Sequence, residues 1–196
     1  MRRIAFLDFD GTISSKDTML EMMRYTFGHF RFYMGFLLNS PYILAFKLGI
    51  ISNHDAKQHV LKYFFGKLTT EKFDALCRDY AENAMPLIVR GKALHELDLL
   101  KEKGVEIVVV SASPENWLKP WCEEIGANLL ATRLEVKDGR ITGKIAGHNC
   151  YGQEKVSRIR DVYDLSQYQE IFCYGDSAGD KPLLELATCC FFQPFR

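Results

Sequence analysis

Two aspartates spaced two apart, Asp8 and Asp10, stand at the end of the apolar run IAFL (4–7) and are followed directly by Gly11-Thr12. A short run of this kind reads as a strand buried on both faces. Residues two apart on a strand share a side, so the two carboxylates leave its carboxyl end together. Held that close, they repel each other unless a cation lies between them or one takes up a proton. The pair calls for a bound cation, for acid/base work, or for both.

Ligands of open α/β sheets bind outside the carboxyl ends of the strands, so the polar residues that follow the other apolar runs belong in the same search. VEIVVV (105–110) ends in Ser111-Ala112-Ser113-Pro114-Glu115, and IFCY (171–174) ends in Gly175-Asp176-Ser177-Ala178-Gly179-Asp180. Lys155 falls in the first turn of a helix entered through Asn149-Cys150-Tyr151-Gly152. There an ammonium opposes the helix dipole, which favours an anionic partner. Each residue alone has a plainer reading. Asp180 before Lys181-Pro182 is a helix N-cap, Ser113 before Pro114 is assigned to capping, Ser111 is a polar strand end, and Lys155 a solvated residue. Taken together, Asp8, Asp10, Asp176, Asp180, Ser111 and Lys155 form a rim of carboxylates with one hydroxyl and one ammonium.

The elements that must position this rim follow from periodicity. Strands are expected at 4–7, 105–110, 171–174 and 189–192, and helices at 114–125, 153–164 and 180–187. A further helix carries the stripe Val89, Ala93, Leu97 and Leu100 and is closed by Gly104. This alternation predicts an α/β fold with a doubly wound, Rossmann-like parallel sheet. TRLEVKDGRITGKI (132–145) reads instead as a β-hairpin turning at Asp138-Gly139. Residues 15–85 are helical without a strand and read as a cap inserted over the strand ends, leaving 1–14 and 86–196 as the core. Within the cap, FYMGFLLNSPYILAF (32–46) lies between Arg31 and Lys47 and is broken at Asn39-Ser40-Pro41. It is shorter than the ~20 apolar residues of a bilayer span. It reads as two packed cap helices, the alternative being a face for a membrane surface or a greasy ligand. So much apolar surface in a thin layer predicts an exposed patch on the cap.

Lys+Arg and Asp+Glu both number 25, and without a basic run this balance argues against nucleic acid as a partner. The chain of 196 residues, 47% hydrophobic and 26% charged, is enough for one core with a sizeable insertion. Six cysteines contain no C-x-x-C pair and read as reduced, buried thiols of a cytoplasmic protein. Asp8 interrupts the apolar stretch after Arg2-Arg3, so no secretory signal is expected.

D-x-D-G-T at 8–12, Ser111 closing the second strand, Lys155, and G-D-x-x-x-D at 175–180 resemble, in order, the four motifs of the haloacid dehalogenase (HAD) superfamily phosphatases. The helical insertion after the first motif is similar to the C1-type cap of the phosphoserine phosphatase-like branch. The resemblance implies a phosphomonoester hydrolase working through an aspartyl-phosphate. Asp8 would be the nucleophile and Asp10 the general acid and base. Mg²⁺ would be held by Asp8, the Asp10 carbonyl and Asp176, supported by Asp180. Thr12, Ser111 and Lys155 would serve the phosphate. Asp17 stands where phosphoserine phosphatases carry a glutamate, and Ala112-Ser113 where they carry paired glycines, which points away from phosphoserine itself. SASPENWLKPWCEEIG and LLATRLEVKDGRITGKIAGHNCYGQEK are closer to a bacterial subgroup that includes phosphatidylglycerophosphatases of the C type. The implied substrate is a small phosphometabolite, the alternatives being a lipid phosphate, with peripheral membrane contact through the cap, or phosphotransfer from the same intermediate.

Overall fold

The computed structural model describes residues 2–196. In chain order its elements are β1 (Arg3–Leu7), α1 (Thr18–Leu38), α2 (Ser40–Lys47), α3 (Asn53–Phe65), α4 (Thr70–Asn83), α5 (Gly91–Glu102), β2 (Glu106–Pro114) and α6 (Glu115–Ile125). These are followed by β3 (Asn128–Thr132), β4 (Leu134–Lys137), β5 (Arg140–Ile145), α7 (Gln153–Val162), β6 (Glu170–Gly175), α8 (Lys181–Leu184) and β7 (Cys189–Phe192).

Five strands form one parallel sheet in the order β3-β2-β1-β6-β7. β1 is central, and its alternate side chains enter different cores, as a period of two requires. Ala5 and Leu7 pack with Leu97, Val109 and Trp117 on one face, while Ile4 and Phe6 pack with Val108, Val110 and Ile159 on the other. This is the α/β fold expected from the alternation, with β4 and β5 forming the separate antiparallel hairpin. Asp138 and Gly139 turn it with φ of 51° and 68°.

Several expectations need correction. β2 runs on through Ser111 and Ser113 to Pro114, because β3 continues to pair with it beyond the apolar run. Val89 lies outside α5 and forms an isolated bridge with Ser14. The helix expected at 180–187 is a single turn, Lys181–Leu184, preceded by a 3₁₀ turn at Ala178–Asp180. Cys77, Cys122, Cys150 and Cys173 are buried thiols, but Cys189 and Cys190 are exposed, because β7 is the outermost strand and is left open to solvent.

Four helices, α1 to α4, follow β1 before α5 leads the chain back to the sheet at β2. α1 bends at Gly28, and it stops at Asn39, whose side-chain amide donates to the Gly35 carbonyl at 2.8 Å. Pro41 then starts α2, in the first turn where its missing N–H is harmless. Phe32, Phe36 and Phe64 pack ring against ring, and Gly35 allows it, since a Cβ there would lie 2.4 Å from the Phe64 ring. The inner face of this layer is therefore packed, and Phe32 with it. Its outer face is open: Phe30 is 82% exposed, Leu37 65%, Leu44 57% and Ile50 71%, and α2 buries none of its residues. Among the described residues no helix is long and apolar enough to cross a membrane.

Candidate active site

Register brings the rim together. Leu7 lies opposite Val109 of β2 and Tyr174 of β6, so Asp8 emerges between the ends of both neighbours. Its backbone N–H still donates to the Tyr174 carbonyl at 2.9 Å. The chain then makes a tight turn over Phe9–Ile13, with Gly11 at a φ of 86°. A Cβ on Gly11 would sit 2.4 Å from Asp176 Oδ2, so the turn closes on that carboxylate only because residue 11 has no side chain.

Asp8 is buried and held from both sides. Lys155 Nζ donates to its Oδ1 at 2.5 Å and to Asp180 Oδ1 at 2.7 Å, and Thr12 Oγ1 donates to its Oδ2 at 3.1 Å. Lys155 is thus a buried ammonium between two carboxylates. Asp180 is more than a helix cap: its other oxygen accepts from the N–H of Asp176 and from both the N–H and hydroxyl of Ser177 at 2.9–3.2 Å. Thr12 meets Asp8 rather than the cavity, and any service to phosphate passes through that contact.

Burial and the charges of Asp180 and Asp10 push the Asp8 carboxyl up to about 7, against the pull of Lys155. Burial would also raise Asp180, but Lys155 and its donors outweigh this and hold it below the usual carboxylate range. Burial alone would lower Lys155, yet the two carboxylates prevail and keep it charged. Asp176 is raised by burial and by Asp180, although Arg196 donates to its Oδ2 at 2.6 Å. The surplus is negative. Asp8, Asp176 and Asp180 each offer an oxygen within 4.8 Å of the others, and this is where a cation fits. Hard carboxylate oxygens suit Mg²⁺.

Asp10 accepts from the backbone N–H of Thr18 at 2.6 Å on Oδ1, and from the Ser113 hydroxyl at 2.7 Å on Oδ2. Ser111 is more distant from Asp10, at 3.4 Å, and its oxygen accepts the Ser113 N–H at 3.0 Å. Ser113, read from sequence as a cap, is therefore part of the site. The missed signal was its spacing from Ser111, the same two-residue step at a strand end that singled out Asp8 and Asp10.

Asp8, Asp10, Ser113, Lys155 and Asp180 face a cavity of about 350 Å³ whose opposite wall comes from the helices α1 to α3. That wall includes Met19, Phe36, Ile43, Phe46 and Val60. Asp17 lines it too, while capping α1 through the Leu20 N–H at 3.0 Å. Its side chain meets solvent, yet the protein around it and the charge of Asp10 push its pKa up to about 6. Lys57 was not singled out from sequence. It crosses from α3 to donate to the Ala112 carbonyl at 2.6 Å and to Asn149 Oδ1 at 3.2 Å. No local pattern marks Lys57, Asn149 or Arg196, because each reaches the site only through tertiary packing.

The family model described as haloacid dehalogenase-like hydrolase matches residues 5–185. The chain belongs to this family. Protein CicA of Caulobacter vibrioides is 32% identical to this haloacid dehalogenase-like hydrolase over 195 residues, covering 98% of this chain and 86% of CicA. A probable phosphatase of Mycobacterium tuberculosis is 28% identical over 190 residues, covering 94% of this chain and 66% of that protein. A solved structure from Bordetella pertussis Tohama I, of unknown function, superposes with a TM-score of 0.83 at 22% identity over 97% of this chain and 89% of that one. A phospho-aspartyl intermediate analogue of phosphoserine phosphatase gives a TM-score of 0.67 at 19% identity, over 96% and 85%. The solved structures share the fold, and the chain is an enzyme of the phosphatase kind within the family.

Proposed function

We propose that the chain hydrolyses a small phosphomonoester through an aspartyl-phosphate on Asp8, with residues 15–85 acting as a cap over a core of 1–14 and 86–196. The observation that carries this reading is the pairing of Asp8 and Asp10 on one cavity. Asp8 is clamped by Lys155, and Asp10 is held by separate donors. In the first half-reaction a carboxylate oxygen of Asp8 attacks phosphorus, the ester P–O bond breaks, and Asp10 gives its proton to the leaving oxygen. In the second, Asp10 takes a proton from water, the water oxygen attacks phosphorus, and phosphate leaves Asp8 as it was. Lys155 offsets charge on the phosphoryl oxygens, with Ser111 and Thr12 supporting the loops that receive them. Asp8, Asp176 and Asp180, with the Asp10 carbonyl, would hold Mg²⁺, whose charge lets the carboxylates coexist beside an anionic substrate. Asp17 and Lys57 stand where the alcohol part of the substrate would lie.

A second reading has its own support. The cavity wall is largely apolar and belongs to the helices whose outer faces are open, which suits a lipid phosphate presented at a membrane surface. A panel of sugar phosphates, phosphoamino acids and phospholipids, assayed with and without detergent and with and without chelator, tests both. Release of free phosphate that is lost on chelation and restored by Mg²⁺ is expected. Metal-independent turnover would contradict the cation site, and a phosphorylated acceptor in place of free phosphate would mean a transferase.

A further inference from the structure

Asp10 stands at the end of a hydrogen-bond chain that begins deep in the protein. Trp117 Nε1–H of α6 donates to Thr18 Oγ1 at 3.2 Å, Thr18 donates to Ser113 Oγ at 3.0 Å, and Ser113 donates to Asp10 Oδ2 at 2.7 Å. Trp117 and Thr18 are wholly buried and Ser113 nearly so. The direction of this chain is fixed by its ends. An indole N–H can only donate, and a carboxylate can only accept. Thr18 must then pass its one proton to Ser113, and Ser113 its own to Asp10. Thr18 acts twice, since its backbone N–H also holds Asp10 Oδ1 at 2.6 Å.

We propose that Thr18 and Trp117, acting through Ser113, are positioning residues that hold the Asp10 carboxylate in the orientation for proton delivery. This inference rests on the reading of Asp10 as general acid. Oδ2 is held by Ser113 at 2.7 Å, with Ser111 at 3.4 Å, and Oδ1 by the Thr18 N–H alone, which leaves Oδ1 a lone pair for a proton. Buried, fully satisfied chains of this kind fix a rotamer more firmly than a single contact does. The chain also joins three separate pieces of structure: the first residue of α1, the end of β2 and the first turn of α6. Asp10 is therefore oriented only when the helical insertion is seated on the core.

The test compares two esters. An aryl phosphate such as p-nitrophenyl phosphate has a leaving group that departs with little help from an acid, whereas a simple alkyl phosphate such as glycerol phosphate needs the proton. The parameter is kcat/KM, which reports steps only through formation of the aspartyl-phosphate and excludes its later hydrolysis. Asp10→Asn sets the reference for losing the acid. Ser113→Ala, Thr18→Val and Trp117→Phe should each move in the same direction by less. Given about 10²–10⁴-fold for a whole general acid, we expect about tenfold or more lost on the alkyl ester and less than about threefold on the aryl ester. Thr18→Ser, which keeps the hydroxyl, should restore the alkyl rate. Thermal unfolding checks that each variant is folded, and if Thr18→Val is not, Ser113→Ala and Trp117→Phe carry the same comparison. Folded variants that lose equally on both esters, or lose nothing, overturn the inference while leaving Asp10 its role. A flat response of Asp10→Asn itself removes that role and the inference with it.

Discussion

The rim of the sheet and the outer face of the cap helices treat their side chains in opposite ways. At the rim, Asp8, Asp10 and Asp180 each accept from two or more donors, and Lys155 is buried between two of them. On the cap, α2 buries none of its eight residues, and Leu37, Leu44 and Ile50 stand open. Desolvated charges demand partners, so the polar region is fixed before substrate arrives. Apolar side chains in water carry no such demand, and the cap can remain incomplete until something covers it. The side chains proposed for the chemistry are held in place, while the helices proposed to meet substrate or a surface are less constrained.

The largest effect that sharpens this contrast is expected from one methyl group at the rim. Gly11→Ala would place its Cβ against the Asp176 carboxylate, on a backbone with a φ of 86° that L residues rarely adopt. Displacing a carboxylate proposed to hold Mg²⁺ should weaken Mg²⁺ binding by about 10–100-fold, as when a supporting group around a metal is lost. Metal titration by calorimetry reads it directly, and unchanged affinity would mean that Asp176 is not a ligand.

Smaller effects separate the two faces of the cap layer. Phe32 is buried beneath Arg24 and against Phe36 and Phe64, so Phe32→Ala should cost about 3–5 kcal/mol in urea unfolding. Leu37→Asp and Leu44→Asp, on the open face, should change stability by no more than about 0.5 kcal/mol. If that face meets lipid, the same double variant should abolish co-sedimentation with anionic vesicles that the parent shows. If the parent does not bind vesicles, the membrane reading falls and the small-ester reading stands.

Much of the rim was legible in the sequence because strand ends are local. An apolar run followed by Asp8-x-Asp10, or by Gly175-Asp176, announces both the strand and the side on which its polar residues emerge. The parallel sheet, the hairpin at Asp138-Gly139 and the break before Pro41 were readable for the same reason. What stayed hidden depends on contacts across many residues. Ser113 reads as a cap until Thr18 and Asp10 are seen around it, and Lys57 is one more surface lysine until α3 lies over Asn149. Cys189 and Cys190 misled in the other direction: their run looks like a core strand, but strand order sets β7 at the edge.

Every other role proposed at the rim depends on Asp8 as the group that carries the phosphoryl. Acid quenching during turnover of p-nitrophenyl phosphate, followed by peptide mass mapping, tests it most directly. A phosphoryl group is expected on the peptide containing Asp8, chased off by time, and none in Asp8→Asn, which should release no phosphate. A phosphoryl group on any other side chain, or phosphate release by Asp8→Asn at the parent rate, would contradict it.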